Sequence, residues 1–461
     1  MLRLYDTRHR RVEDITPATP GVLRVYGCGP TVYSHQHVGN MRTYLLNDLI
    51  ARVAVLAGWR VDLVVNITDV GHVADDTVAD AGEDKMLVGA RREGLTIGQV
   101  AQKFEAAFLA DLNTLNVLPA AENPRASEYI DRMIELVGIL LEGGHAYVGV
   151  DGTVYFDARS FPSYGEISGN RLDGLRPSPE DEREAKRFHA DWALWKSAEP
   201  DAPVVFPSPW GPGFPGWHLE CSAMSSHLLG DTIDIHTGGI DLRFPHHEDE
   251  RAQTESAVGH EVVRHWVHGE HLLFEGRKMA KSAGNVVLVS DLVDAGLDPL
   301  ALRLAYERVR YRQQVTLNWE ELVRADKWLT RWRSRMADWS SKPGRPMDAH
   351  YAGRARAALF DDLDVPAALI ALQDLEKDTS VPDGAKFETF NDLDRVLALD
   401  LQRELGAAPP KLPPGAQALL DERASARTAK RWAESDRLRD ALAALGVAVT
   451  DTPEGQVARP V

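Results

Sequence analysis

The sequence contains little cysteine: Cys28 and Cys221 are the only two among 461 residues. Two thiols cannot form the disulfide framework that holds small secreted domains together, so a protein built on disulfides is excluded. Two interpretations stay open at this point. The thiols are either buried side chains of small hydrophobic character or ligands of a metal ion.

Long apolar runs are also missing. No window holds eighteen consecutive apolar residues, which excludes a membrane-spanning helix. The N-terminal stretch MLRLYDTRHRR is charged throughout and lacks the apolar segment of a signal peptide. With 44% hydrophobic and 26% charged residues, the composition is that of a globular protein. We expect a cytoplasmic protein of about two to four structural units.

Positive charge is in the minority, and the formal net charge is −17. This argues mildly against a nucleic acid partner, because contacts to phosphates require Lys and Arg. Basic residues are nevertheless clustered, with eleven basic against five acidic residues in 301–345. Solvated helix faces are the commoner explanation, but the clustering leaves room for a nucleic acid. A second basic cluster lies near the C-terminus: Arg423, Arg427, Lys430, Arg431, Arg437 and Arg439.

The first 70 residues have the pattern of a parallel α/β sheet. Residues 23–26 predict a strand that ends in a Gly-rich turn at 27–30. An apolar-periodic helix is predicted over 44–56 and is stopped by Gly58. Residues 61–67 predict a second buried strand. Strand, Gly-rich turn, helix and strand together are typical of a Rossmann-type α/β fold.

The rest of the chain predicts an interrupted sheet followed by helices. Residues 95–145 are helical in pattern, and 150–215, rich in Pro, Gly and charge, indicate an insertion with short strands. Strands at 232–236 and 270–274 are expected to resume the sheet. The pattern is helical over 295–405, a Pro-rich linker is predicted at 409–414, and one helix over 414–445 precedes a strand at 447–450.

A candidate metal site comes from four scattered residues. Pro245 suits the first position of a helix that Gly259 would end, and on this helix His246 and Glu250 lie four residues apart on one face. Such a pair alone is more often a surface hydrogen bond. Cys221 lies just upstream and Cys28 lies on the turn after the first strand. If the four side chains converge, they form a zinc site of two thiolates, one imidazole and one carboxylate.

Two further segments carry residues suited to phosphate. His37 and Gly39 lie between a strand and the start of a helix, where backbone N–H groups and the helix dipole favour anions. The loop 276–285 contains Lys278 and Lys281, two of only twelve lysines in the chain, and mobile ammonium groups suit a transient cluster of phosphate charge. Each pattern alone is also that of an ordinary surface loop.

Taken together and in this order, these motifs resemble a class I aminoacyl-tRNA synthetase of the cysteine family. The segment from His37 to Asn40 resembles the first class signature, and Lys278-Met279-Ala280-Lys281-Ser282 resembles the second. Three stretches are similar to the family's own: Cys-Gly-Pro-Thr-Val-Tyr, Pro-Gly-Trp-His-Leu-Glu-Cys-Ser and Ile-Asp-Leu-Arg-Phe-Pro-His-His-Glu. The resemblance covers nearly the whole chain.

The resemblance implies a role for each site residue. Zinc ligands are expected at Cys28, Cys221, His246 and Glu250. Catalytic residues are expected at His37, Asn40, Lys278 and Lys281. The expected ATP contacts are Thr31, His37, Gly39, Asn40, Gly238, Gly239, Asp241 and Lys281, and the expected cysteine contacts are Gly29, Thr31, Trp217 and His236.

The resemblance also implies domains and partners. A catalytic Rossmann domain is expected at 1–300 with an insertion at about 115–215, a stem-contact helical bundle at 301–408, and a small α/β anticodon-binding unit at 409–461. The expected ligands are one Zn²⁺, L-cysteine, ATP with Mg²⁺, and tRNA(Cys). We expect a monomer without a membrane partner.

The chain departs from the family pattern at three places. Ala280 replaces a usual Ser, Thr237 replaces a usual Gly, and the Trp that commonly follows the C-terminal Gly is absent after Gly455. Two alternatives therefore stay open. One is a ligase that joins cysteine to an amino sugar, as in mycothiol synthesis, or to a carrier protein. The other is a non-catalytic RNA-binding module, which should have lost the zinc ligands or loop lysines that this chain retains.

Overall fold

The computed structural model describes residues 1–70, 85–176, 185–198, 202, 204–279, 285–406, 412–452 and 455–460. Residues 409–411 of the predicted linker, and Ala280, Lys281 and Ser282 of the lysine-containing loop, lie outside the described residues. The chain divides into two compact units, Met1–Gln402 and Arg403–Val461.

The first unit alternates strands and helices over its first three hundred residues and is mainly helical afterwards. Its strands are β1 (Arg3–Asp6), β2 (Arg11–Asp14), β3 (Val22–Gly27), β4 (Arg60–Val65), β5 (Ala146–Val148), β6 (Val154–Phe156), β7 (Trp192–Ser197), β8 (Gly213–Pro215), β9 (Ile233–Gly239), β10 (Val263–Gly269), β11 (Leu272–Phe274), β12 (Arg277–Lys278) and β13 (Val315–Leu317). Its helices are α1 (Val38–Leu56), α2 (Lys85–Glu93), α3 (Ile97–Thr114), α4 (Ile130–Glu142), α5 (Trp217–Leu229), α6 (His246–Val258), α7 (Val289–Asp294), α8 (Leu300–Glu307), α9 (Trp319–Ser340), α10 (Ala349–Phe360), α11 (Val365–Lys377) and α12 (Asp383–Leu397).

The centre of the first unit is a parallel sheet in the order β10-β9-β3-β4. In register, Tyr26 of β3 pairs with His236 of β9, and His236 pairs with Trp266 of β10. All four strands end at the same edge, which is where open α/β folds place their binding sites. The predicted Rossmann-type parallel sheet is therefore confirmed.

Of the two strands predicted to resume the sheet, 232–236 is confirmed as β9 and the other was placed wrongly. The predicted strand 270–274 does not join the parallel sheet; β10 does, and β11 belongs to a separate sheet in the order β12-β11-β13. His265, Trp266 and His268 interrupt the apolar pattern of β10. They are nevertheless buried. The polar composition of this segment therefore did not indicate that it forms a buried strand.

The insertion carries an antiparallel sheet in the order β5-β6-β7-β8. Its strands are short, as the sequence predicts, because Gly and Pro punctuate the segment. The helical prediction over 295–405 needs one correction, since β13 pairs with β11 within that range. Within the described residues no helix has both the length and the apolar character required to cross a membrane.

Several arginines of the 301–345 cluster are tied up within the protein. Arg303 is 2% exposed, and its Nη2 lies 2.5 Å from Oδ2 of Asp48 in α1. Arg333 is 4% exposed and pairs with Asp298, while Arg312 pairs with Asp362. Some of the basic residues counted in this segment therefore form ion pairs inside the protein. For these residues the explanation by solvated helix faces does not hold.

The second unit contains α13 (Ala416–Thr428), α14 (Trp432–Ala444), β14 (Val447–Thr452) and β15 (Gly455–Pro460). The predicted single helix 414–445 is wrong, because the chain breaks at Lys430, whose φ of 57° is left-handed. No Gly or Pro marks this break. The strands β14 and β15 form an antiparallel hairpin, and the buried Arg423 donates to both carboxylate oxygens of Asp451 at 2.8 and 3.0 Å.

Candidate metal and nucleotide site

Four potential metal ligands meet at the carboxyl edge of the parallel sheet. Cys28 directly follows β3, Cys221 lies in α5, and His246 and Glu250 lie one turn apart in α6. One ligand atom from each lies within 4.8 Å of the ligand atoms of the other three. All four are between 1% and 5% exposed. The structure thus brings together residues that are separated by up to 222 positions in the sequence.

The helix α6 presents His246 and Glu250 towards the sheet. Pro245 is its N-cap rather than its first helical residue, and Gly259 ends it in a left-handed conformation with φ of 78°. Two acidic residues, Glu248 and Asp249, occupy the first turn, where they interact favourably with the helix dipole. These features fix the start and the end of the helix and hence the face that carries both ligands.

The contacts within this group fit a cation. Nε2 of His246 lies 2.8 Å from Oε1 of Glu250, yet neither this nitrogen nor Oε2 of Glu250 makes a hydrogen bond to any residue that the structure describes. A buried polar atom without a hydrogen bond is costly and uncommon. Two thiols, an imidazole and a carboxyl at this spacing are ligands that zinc accepts, and the residues present therefore fit a zinc ion.

Burial favours the neutral forms of these groups. Burial raises the pKa of the Cys28 thiol well above its ordinary value and that of Glu250 to about 7, and it lowers the pKa of His246 to about 3. A hydrogen bond with Cys28 lowers the pKa of Cys221, but burial and nearby carboxyl groups offset this and raise it to about 11. A bound cation would reverse this preference for the thiols and release their protons.

Two histidines that the sequence analysis did not assign as ligands surround the Cys28 sulfur. Nε2 of His247 lies 3.2 Å and Nε2 of His236 lies 3.4 Å from Sγ of Cys28. These two, with Cys28 and Glu250, form a second group whose ligand atoms lie within 4.8 Å of one another. Four residues on from His247 the helix carries Arg251 rather than an acidic residue. The partner of His247 is instead His268 in β10, at 2.7 Å, which helix periodicity does not show.

The second nitrogen of the His246 ring contacts His218, which in turn pairs with Asp249. The sequence analysis did not predict these contacts. Nδ1 of His246 lies 2.8 Å from Nδ1 of His218, and Nε2 of His218 lies 3.3 Å from Oδ2 of Asp249. The ring of Trp217 packs on His246 with ring centres 4.2 Å apart. Such surrounding contacts orient a metal-binding imidazole so that its other nitrogen faces the ion.

His37 and Asn40 cap the start of α1. The backbone N–H of Asn40 donates to Nδ1 of His37 at 3.2 Å, and the backbone N–H of His37 donates to Oδ1 of Asn40 at 3.1 Å. This is a capping box. Because Nδ1 accepts a hydrogen bond, a neutral His37 ring carries its proton on Nε2, which is then a donor. The helix N-terminus and this donor together favour an anion.

Several glycines allow close approach at the same edge. A Cβ on Gly29 would lie 1.6 Å from the carbonyl oxygen of Asn66, and a Cβ on Gly39 would lie 2.8 Å from Cε of Met279. Thr31, two residues after Gly29, pairs with Thr68 in an isolated parallel bridge. Position 29 therefore has to be glycine for the turn after β3 to pack against the backbone of Asn66.

The remaining predicted site residues that the structure describes lie in β12, in β9 or directly after β9. Gly238 and Gly239 end β9, and Asp241 lies in the short helical turn that follows. The backbone of Lys278 pairs with Leu273 in β11. Lys281 lies outside the described residues.

The catalytic region of the chain is similar to that of class I tRNA synthetases. A model of the class I (C) tRNA synthetase catalytic domain matches residues 14–327. The fold is similar to that of Mycobacterium tuberculosis methionyl-tRNA synthetase bound to methionyl-adenylate, with a TM-score of 0.56, 18% identity and coverage of 82% of this chain and 90% of that chain. It is also similar to Agrobacterium radiobacter LeuRS in complex with tRNA and LeuAMS, with a TM-score of 0.59, 12% identity and coverage of 84% of each chain. The chain therefore has the fold and the catalytic domain of a class I aminoacyl-tRNA synthetase.

The more specific matches concern cysteine. A model of the cysteinyl-tRNA ligase anticodon binding domain matches residues 409–459. The chain is 43% identical over 479 aligned positions to the cysteine–tRNA ligase of Thermus thermophilus, covering 98% of both proteins. It is 42% identical to cysteine–tRNA ligase 1 of Burkholderia lata, covering 99% of this chain and 96% of that protein. The chain belongs to the cysteine–tRNA ligase family.

Proposed function

We propose that this protein activates L-cysteine with ATP and Mg²⁺ and transfers the cysteinyl group to the 3′-terminal adenosine of tRNA(Cys). The observation that carries the proposal is the buried group of Cys28, Cys221, His246 and Glu250 at the carboxyl edge of the sheet. It lies at the same sheet edge as the capped start of α1, where phosphate is expected. Membership of the family agrees with this activity.

We further propose that these four residues hold Zn²⁺ and that His236 and His247 contact the Cys28 sulfur without being ligands. The hydrogen-bond pattern supports this choice, because the atoms left without a hydrogen bond are Nε2 of His246 and Oε2 of Glu250. When bound there, zinc supplies a soft cation that prefers a substrate thiolate to the hydroxyl of serine. The site then discriminates by a specific bond, for which a rejection of about 10⁴–10⁵-fold is attainable.

The chain's own residues position both substrates. Trp217 walls the cysteine pocket beside His246, and Gly29 and Thr31 border it from the turn after β3. We assign the phosphate contacts to the Nε2 proton of His37, the side chain of Asn40 and the ammonium groups of Lys278 and Lys281. Gly39, Gly238, Gly239 and Asp241 seat the rest of the nucleotide. Catalysis in this scheme consists of orientation and charge stabilisation as the cysteine carboxylate attacks the α-phosphate.

The same proposal assigns a role to each region. Residues 1–300 form the catalytic domain with an insertion at about 115–215. Residues 301–408 form the bundle that contacts the tRNA stem, and residues 409–461 recognise the anticodon. The match of the anticodon binding model to residues 409–459 supports the last assignment.

The test is a charging assay with the purified protein, ATP, Mg²⁺, labelled cysteine and a tRNA(Cys) transcript. We expect label on this transcript, none on a tRNA(Ser) transcript, and none with labelled serine. Cysteine-dependent pyrophosphate exchange without charging of any tRNA would show that the acceptor is another molecule, such as an amino sugar or a carrier protein. Absence of both activities would contradict the proposal.

Lys281→Ala is expected to slow formation of the cysteinyl-adenylate by about 10²–10³-fold, the range found when one group that stabilises transition-state charge is removed. Cysteine affinity should change little, because the ammonium group acts on phosphate. Single-turnover adenylate formation and equilibrium binding of cysteine separate the two effects. Weaker cysteine binding with normal adenylate chemistry would give the loop a different role. Lys103→Ala, at an exposed ion pair with Glu93, is the control for loss of one lysine.

A further inference from the structure

A second cluster of potential metal ligands lies where the N-terminal hairpin meets β10. Asp6 ends β1, Glu13 lies in β2, and His9 lies in the turn between them. One ligand atom from each of these three lies within 4.8 Å of the other two. His265 of β10 approaches the same group. None of these residues belongs to the site proposed for cysteine and ATP.

The ligand atoms of Asp6, His9 and Glu13 are close enough to share one ion, and Nδ1 of His265 lies near both carboxylates. Nδ1 of His9 lies 3.2 Å from Oε2 of Glu13 and 3.5 Å from Oδ1 of Asp6. Nδ1 of His265 lies 3.4 Å from the same Glu13 oxygen and 4.0 Å from Oδ2 of Asp6. Tetrahedral zinc with bonds of about 2.0–2.1 Å keeps neighbouring ligand atoms about 3.3 Å apart.

An independent observation points to a missing ligand in this cluster. His265 is 8% exposed, and its Nδ1, which faces the two carboxylates, makes no hydrogen bond to any described residue. Buried nitrogens without a hydrogen bond are rare in native proteins. A metal ion among the four side chains would satisfy this nitrogen.

Backbone hydrogen bonds hold part of this cluster in position. The carboxylate of Asp6, 1% exposed, accepts hydrogen bonds from the backbone N–H groups of His9 at 2.6 Å and Trp266 at 2.8 Å. The backbone N–H of Thr7 donates to the carbonyl of Trp266 at 2.8 Å. The hairpin is thus fastened to β10 beside the cluster, and the Asp6 carboxylate is held in place.

The cluster lies apart from the catalytic group. His265 and Trp266 are neighbours in one strand, so their side chains leave opposite faces of the sheet. The ring of Trp266 stacks on His236 at 4.6 Å, next to Cys28. An ion at His265 therefore lies on the other face of β10 from the cysteine site.

We infer that Asp6, His9, Glu13 and His265 form a second metal site, which takes a divalent transition ion such as Zn²⁺ and clamps the N-terminal hairpin to β10. Two imidazoles and two carboxylates favour such an ion over Mg²⁺ or Ca²⁺, which prefer oxygen ligands alone. Half-exposed His9 gives the ion a route from solvent. Arg11 binds the other oxygen of Glu13 at 2.7 Å and leaves Oε2 directed at the cluster.

Cobalt titration of the metal-free full-length protein tests the inference. We expect two equivalents of Co²⁺ to bind. One produces the near-ultraviolet thiolate-to-cobalt absorption of the two-cysteine site, and the other adds only visible ligand-field absorption because its ligands are nitrogen and oxygen. Amide hydrogen exchange in residues 3–14 should slow as the second equivalent binds. A single equivalent, or a second equivalent without effect on this hairpin, would overturn the inference.

Variants separate this site from the cysteine site. His9→Ala changes a partly exposed side chain, and Glu13→Gln keeps the shape of the other; each is expected to abolish the second equivalent and leave thiolate absorption intact. His260→Ala, an exposed histidine just before β10, should retain both equivalents. Two equivalents of unchanged affinity in both His9→Ala and Glu13→Gln would show that the ion binds elsewhere. Loss of thiolate absorption with the second equivalent intact would contradict the proposed cysteine site instead.

Discussion

Cys221→Ser is expected to lose bound zinc and cysteine activation together. Serine offers a hard, weakly acidic hydroxyl in place of a thiolate, so the ligand set of α5, α6 and the turn after β3 is left incomplete. We expect kcat/KM in cysteine-dependent pyrophosphate exchange to fall by about 10⁴-fold, the order by which such sites discriminate against substrates that lack the recognised bond. The sheet should stay folded because the change removes little volume.

Metal analysis and pyrophosphate exchange on the same preparation check this prediction. Met224→Leu in the same helix is the matched control, since Met224 is buried and the exchange conserves volume; it should keep zinc and activity. Full activity of Cys221→Ser without bound metal would contradict the role of Cys221 as a zinc ligand and the role of zinc in cysteine activation.

Arg303→Met is expected to destabilise the first unit by about 3–5 kcal/mol, the range for breaking a buried ion pair on one side. The guanidinium donates to Asp48 at 2.5 Å, to the carbonyl of Leu397 at 2.6 Å and to Glu307 at 3.2 Å. Methionine replaces the apolar part of the side chain but removes one of the two arginines that pair with the buried Asp48 carboxylate, the other being Arg52 at 2.8 Å. The change also removes the tie between α8 and the end of α12.

Urea unfolding followed by tryptophan fluorescence measures this effect. Arg308→Met is the control, because Arg308 pairs with Glu321 at the surface and such pairs contribute less than about 1 kcal/mol. Similar unfolding midpoints for the two variants would show that the buried arginine is not required for stability.

The sequence was informative where a residue's role depends on its near neighbours. The strand–turn–helix–strand opening, the four-residue spacing of His246 and Glu250, and the helix end at Gly259 all follow from local periodicity and backbone preference. The family resemblance then linked Cys28 and Cys221 to this helix. Periodicity alone could not show that four positions far apart in the chain converge.

The errors arose where tertiary contacts override local pattern. β10 is rich in histidine and tryptophan, and its burial depends on partners such as Thr7 and His247, which are distant in sequence. Helix spacing pairs His247 with Arg251 and so predicts no ligand role for it. Its contacts are instead with His268 of β10 and His236 of β9. The break between α13 and α14 falls at Lys430 without Gly or Pro, so no local signal marked it. The sequence pattern of Arg303 is that of a solvent-exposed base, because its partners Asp48 and Leu397 are distant in sequence.

The most direct test of the account is the effect of cysteine on the cobalt-substituted protein. If the substrate thiolate binds the ion held by Cys28, Cys221, His246 and Glu250, adding L-cysteine should increase the thiolate-to-cobalt absorption and shift the ligand-field bands, while L-serine should change neither. The second site proposed here has no sulfur ligand and would not contribute to the thiolate band. An unchanged spectrum at cysteine concentrations that saturate pyrophosphate exchange would contradict recognition of cysteine through the metal.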